Sequence, residues 1–139
     1  MRLNPYLIFD GCCEEAFRFY EKCLPGKIVM MMRYGDSPLW KQTTPESCQK
    51  IIHATFAFGE HILQGADAVP QNYCKPQGIA VMLSVDSVTE ANRIFCALSE
   101  HGCVQMPLQE SFWALRFGQL VDRFGVPWTI NCGKPVSIV

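Results

Sequence analysis

The pattern Glu-Ala-x-Arg-x-aromatic occurs twice in this chain, as Glu15-Ala16-Phe17-Arg18-Phe19-Tyr20 and as Glu90-Ala91-Asn92-Arg93-Ile94-Phe95. Each copy follows an apolar run that ends in aspartate, "PYLIFDG" and "IAVMLSVD", and each is followed by a glycine, Gly26 or Gly102. A repeat at this spacing requires two copies of one supersecondary unit, because a unit that recurs in sequence recurs in structure. Both copies read as amphipathic helices. Ala16, Phe17, Tyr20, Cys23 and Leu24 recur at helical spacing in the first, and Val88, Ala91, Ile94, Phe95 and Leu98 do so in the second. Ser87 with Glu90 forms a capping box at the start of the second helix.

Three strand-like runs follow each helix: "KIVMMMRY", "IIHATFAF" and "HILQGA", then "CVQMPL", "FWALRFGQLV" and "VPWTIN". Tight turns at Phe58-Gly59-Glu60 and Asp122-Arg123-Phe124-Gly125 separate the last two runs of each half, with Gly125 expected at positive φ. The predicted fold is α+β. Two tandem βαβββ modules, 1–66 and 78–132, are expected to form a curved eight-stranded mixed sheet, a half-open barrel, within one domain spanning 1–139. Residues 67–77 read as a connection and 133–139 as a C-terminal tail. A fifteen-residue segment, "GDSPLWKQTTPESCQ", separates strands two and three. Loops of that length in a small domain are usually functional lids or mobile segments.

Twelve basic and thirteen acidic residues give a net charge of -1 with no run of either sign, which argues against a nucleic-acid partner and against a membrane surface. No apolar stretch reaches the length of a membrane span, and the apolar run at the N-terminus is too short for a secretion signal, so the expected location is cytoplasmic. The eight cysteines contain no Cys-x-x-Cys pair. Cys23, Cys96 and Cys132 are expected to be small core hydrophobes, with Cys12-Cys13 the one plausible reactive thiol pair.

The order βαβββ repeated in under 140 residues resembles the vicinal-oxygen-chelate superfamily, the glyoxalase and bleomycin-resistance fold. "PYLIFDG", "EEAFRFY", "YGDSP" and "ESFWALRFGQLVDRFGVPWTIN" are similar to its PhnB-like branch, whose members are often labelled 3-demethylubiquinone methyltransferase-like. The resemblance implies two curved half-barrels around a cavity, and a homodimer. It also implies four metal-ligand positions, which map here onto Asn4, Leu63 or Gln64, Ala80 and Thr129. None of these is a histidine or a carboxylate, so no metal centre of the usual kind is expected. His53, His61 and Glu60 are conceivable parts of an improvised centre, although residues beside a hairpin tip are ordinarily just solvated. No cofactor is predicted. The strand-to-helix turns "DGCCEE" and "DSVTE" lack the glycine-rich loop that binding of a methyl-donor nucleotide usually requires.

Strict alternation in "SFWALRFGQLV" sends Trp113, Leu115, Phe117 and Gln119 to one face and Arg116 to the other, among small and apolar neighbours. In a concave sheet Arg116 would be a planar charged anchor for an anionic oxygen, with Glu110 a candidate base. The competing reading pairs Arg116 with Glu110 or Asp122. Trp113, Trp128, Gln64, Tyr34 and Asn4 complete the candidate ligand set. Two function classes stay open: a protein that binds a small organic molecule in a cavity without a divalent metal, and a metal-dependent lyase, isomerase or dioxygenase with a non-standard site. Methyltransferase activity is the less expected outcome.

Overall fold

The computed structural model describes residues 1–134. The tail at 135–139 lies outside the described residues. The chain packs as two compact units, Met1–Cys74 and Lys75–Val139, dividing within the segment read as a connection.

In the first unit, β1 (Tyr6–Phe9), α1 (Cys13–Cys23), β2 (Lys27–Arg33), β3 (Ile51–Phe58) and β4 (His61–Asp67) build a four-stranded sheet in the order β1-β4-β3-β2. The second unit repeats this with β5 (Val81–Val85), α2 (Val88–Ser99), β6 (Cys103–Gln109), β7 (Ala114–Val121) and β8 (Pro127–Gly133), in the order β5-β8-β7-β6. In both, the first strand pairs in parallel with the last and the remaining pairs are antiparallel. The eight strands thus form two mixed sheets of identical topology, as a duplicated sequence demands.

Each helix covers one face of its own sheet. Phe17 of α1 meets Phe9 and Phe56 edge-on, at ring separations of 6.1 and 6.5 Å. Gly65 leaves room for it, since a Cβ there would lie 3.0 Å from the Phe17 ring. The α2 stripe Ala91, Ile94, Phe95 and Leu98 is buried, and Gly118 admits Phe95 in the same way. Neither helix relies on apolar packing alone. The carboxylate of Asp67, itself buried, accepts from the backbone N–H of Cys13 at 2.9 Å and of Ile51 at 2.8 Å. It ties the start of α1 to the start of β3. At the second helix Ser87 Oγ accepts from Glu90 N at 3.1 Å, the first half of the capping box. The side chain of Glu90 turns instead toward Arg93 at 4.0 Å.

Several expectations need correction. Strand seven starts at Ala114, because Ser111 closes a turn onto Ala114 through its backbone N–H and its hydroxyl, leaving Phe112 and Trp113 before the strand. Strand five starts at Val81, two residues after Ile79. The segment after β2 is held by two short 3-10 turns, Tyr34–Asp36 and Trp40–Gln42. Cys23 and Cys132 are buried as expected, but Cys96 is exposed, because its position on α2 turns away from the Ile94, Phe95 and Leu98 stripe. Gly125 has φ +89°, as the hairpin requires.

Candidate functional site

The face of the first sheet away from α1 carries the polar groups. Gly65 abuts the helix, so alternation turns Gln64 to the other side. The register sets Tyr6 of β1 and Thr55 of β3 on either side of Gln64. His53 stands two residues along β3 from Thr55, on the same face. These four side chains form one hydrogen-bonded row. The Tyr6 phenol oxygen is 3.1 Å from His53 Nδ1, and the Gln64 amide nitrogen is 3.4 Å from both His53 Nε2 and Thr55 Oγ1. The Tyr6 and His53 rings also stack, 5.6 Å apart and 25° from parallel. Partial burial pushes the Tyr6 phenol above its ordinary pKa, which keeps it protonated through the neutral range.

Around this row the face is apolar. Met30 pairs with Thr55 and Met32 with His53, so the two methionines border the row along β2, and Ile8 borders it two residues beyond Tyr6 on β1. Within the chain Ile8, Met30 and Met32 keep 40, 37 and 40 % of their surface exposed, and Tyr6 46 %. The face is thus polar in one narrow row and apolar beside it.

The other expected site residues are distributed differently. Asn4 is exposed, two residues before β1. Tyr34 donates to the backbone oxygen of Asp67 at 3.0 Å and lines a separate hollow of about 520 Å³ beneath the 35–49 segment, with Lys50, Thr43, Thr44 and Glu46. Ser37 donates to Tyr34 O at 2.7 Å and accepts from Leu39 N, so it serves turn geometry. In the second unit Trp128 is fully buried, and its indole N–H donates to Asp122 Oδ2 at 2.9 Å. Trp113 is 47 % exposed and meets Phe112 and Phe117 edge-on at 4.6 and 5.2 Å. Arg116 pairs in register with Cys132, on the side of the sheet where Gly118 contacts α2, and it donates to the Leu115 carbonyl at 2.6 Å. Neither Glu110 nor Asp122 pairs with it among the described residues. Glu110 is exposed on the turn before β7.

The positions corresponding to metal ligands do not suit a divalent ion. In the first unit Gln64 offers one neutral amide oxygen, its amide nitrogen lying 3.4 Å from His53 Nε2 and Thr55 Oγ1. In the second, Ala80 has no donor atom and Thr129 has only a hydroxyl. His53 faces Tyr6 and Gln64, whereas His61 packs against Phe58 at 5.4 Å. Among the described residues no three His, Cys, Asp or Glu side chains converge. At the N-terminus of α1 the Asp67 carboxylate accepts from the Cys13 N–H. That carboxylate and burial also raise the pKa of both Cys12 and Cys13, burial being the larger cause. The thiol pair is therefore the reverse of an activated one, a correction to its expected reactivity. Tyr6 and His53 were the partners of Gln64 that sequence pattern alone did not join; the alternation His53-x-Thr55 was the available signal, but it acquires meaning only with the register.

These two βαβββ units, each a helix on a four-stranded mixed sheet, have the architecture of the glyoxalase-type, vicinal-oxygen-chelate superfamily. A glyoxylase/bleomycin resistance protein/dioxygenase domain from Frankia sp. EAN1pec has the same fold, with a TM-score of 0.61 at 15 % identity over 96 % of this chain and 98 % of that one. Residues 1–131 match the family model described as 3-demethylubiquinone-9 3-methyltransferase, and the chain belongs to that family, the PhnB-like branch of the superfamily. Protein PA1353 from Pseudomonas aeruginosa is 42 % identical, with a TM-score of 0.86 over 97 % of this chain and 99 % of that one. The PhnB protein from Bacillus cereus is 26 % identical, with a TM-score of 0.80 over 96 % of this chain and all of that one. Protein YjdN of Escherichia coli K12 is 33 % identical across 96 % of this chain and 97 % of its own length.

Proposed function

We propose that this protein binds a small organic molecule against the open face of the first sheet, without the divalent metal used elsewhere in the superfamily. The observation that carries this reading is the row Tyr6-His53-Gln64-Thr55 set among exposed Ile8, Met30 and Met32. The apolar surface supplies affinity, and the row supplies orientation through hydrogen bonds. Of the residues expected at a ligand, Gln64 keeps that role, with Trp113 an exposed ring available for stacking in the second unit. Tyr34, Trp128 and Arg116 serve their own neighbourhoods through the hydrogen bonds above. The metal-dependent lyase, isomerase or dioxygenase reading gains no support from the donor set, and the methyltransferase label of the family has no matching nucleotide-binding loop in this chain.

Thermal-shift screening of the purified protein against oxygenated aromatic and aliphatic compounds tests the reading. A stabilising hit should lose its effect in Gln64→Leu and His53→Leu, while both variants keep the wild-type circular dichroism. Hits insensitive to both substitutions would reject the open face. A homodimer and a cytoplasmic location belong to the same proposal. Light scattering on the purified protein tests the first and cell fractionation the second. No helix among the described residues is long and apolar enough to cross a membrane.

A further inference from the structure

We infer that Gln64 sets the tautomer of His53, and through it makes the Tyr6 hydroxyl an outward-facing hydrogen-bond donor that selects ligands presenting an acceptor oxygen, as in a ketone, ester or carboxylate. The inference rests on the open-face reading and specifies what that face recognises. The amide nitrogen of Gln64 carries two hydrogens and has two acceptors at the same distance, 3.4 Å: His53 Nε2 and Thr55 Oγ1. An N–H that points at an imidazole nitrogen requires a lone pair there, so the ring proton sits on Nδ1. Nδ1 is 3.1 Å from the Tyr6 oxygen. The Nδ1–H donates to that oxygen, and the phenol hydrogen is left to point away from the sheet. Since the phenol stays protonated, the donor persists through the neutral range. The Gln64 amide oxygen has no partner among the described residues, so an acceptor stands on the strand next to the Tyr6 donor.

A single change of proton position reverses this polarity. With hydrogen on Nε2, His53 Nδ1 would accept from Tyr6, and the phenol would show the ligand only a lone pair. An amine would then be the better partner.

Two-bond proton–nitrogen correlation spectra of the full-length 15N-labelled protein report which nitrogen of the neutral His53 ring holds the proton. Nδ1–H is expected. In Gln64→Glu the carboxylate accepts where the amide donated, and Nε2 should become protonated. A wild-type Nε2–H tautomer overturns the inference whatever the protein binds. Acetophenone and benzylamine, an acceptor and a donor on similar apolar bodies, are then titrated against the Tyr6 and His53 signals. Acetophenone should bind more tightly and lose about fivefold in affinity in Tyr6→Phe, the effect of one hydrogen bond. Preference for benzylamine would also overturn the inference. Failure of both fragments to shift those signals would instead sink the open-face reading, leaving the tautomer assignment decided by its own measurement.

Discussion

Asp67 and Asp122 hold most of the buried polar structure, one in each unit. The Asp122 carboxylate accepts from Phe124 N at 2.8 Å, Val126 N at 3.0 Å and the Trp128 indole at 2.9 Å. Removing a buried carboxylate strands several donors at once, and each hydrogen bond to a charged group is worth ~1.5–3 kcal/mol. Asp67→Ala and Asp122→Ala should each destabilise by about 3 kcal/mol or more in urea unfolding, and Asp122→Ala should also shift Trp128 fluorescence. The cysteines separate on similar grounds. Cys74, Cys96 and Cys103 are exposed, whereas burial and the Asp67 carboxylate hold the Cys13 thiol protonated. Native alkylation followed by peptide mass spectrometry should label the three exposed thiols well before Cys13. Early labelling of Cys13 would contradict its environment. None of this was visible in spacing, because Cys13 and Asp67 are brought together by the parallel pairing of β1 with β4. The burial of Cys23 is legible from the helical stripe, and the stripe Ala91, Ile94, Phe95 and Leu98 leaves Cys96 outside it.

At the scale of elements, the glycine after each helix has the same physical cause. A Cβ on Gly26 would lie 2.6 Å from the carbonyl oxygen of Ala57, and one on Gly102 would collide with the carbonyl of Val121, at matching places on β3 and β7. The repeated glycine noticed in the sequence is therefore a close backbone approach. Gly26→Ala and Gly102→Ala should each cost ~1–3 kcal/mol, read as lowered denaturant midpoints with unchanged slope. The helix α1 is joined to β2 by ions as well. Glu14 is held by Arg33 and Arg18, each at 2.9 Å, and the Arg33 hydrogen bond is the chief reason its carboxyl falls from 4.5 to about 2. A depressed folded-state pKa means that the stabilisation is present above the ordinary value and is lost as pH falls from about 4.5 toward 2. Melting curves over that window should show a falling midpoint in the wild type and a shallower fall in Glu14→Gln. Equal slopes would show that the network contributes nothing measurable.

For the whole molecule, the donor set makes one prediction: chelators should leave the melting temperature unchanged, and elemental analysis should find no stoichiometric transition metal. Tightly held zinc or nickel would require ligands other than those at the mapped positions. The sequence by itself determined the βαβββ repeat, the two helical stripes and the positions of the hairpins, because periodicity, caps and turn glycines are local and each copy of the repeat corroborates the other. What only the tertiary structure decided is which polar residues meet. Tyr6, His53 and Gln64 lie on three different strands, and Arg116, by alternation a candidate anchor, stands on the helix side of its sheet. A strand's own pattern separates two faces without saying which one the helix covers; that follows from register and from where a missing Cβ lets a helix aromatic approach, and both are long-range facts.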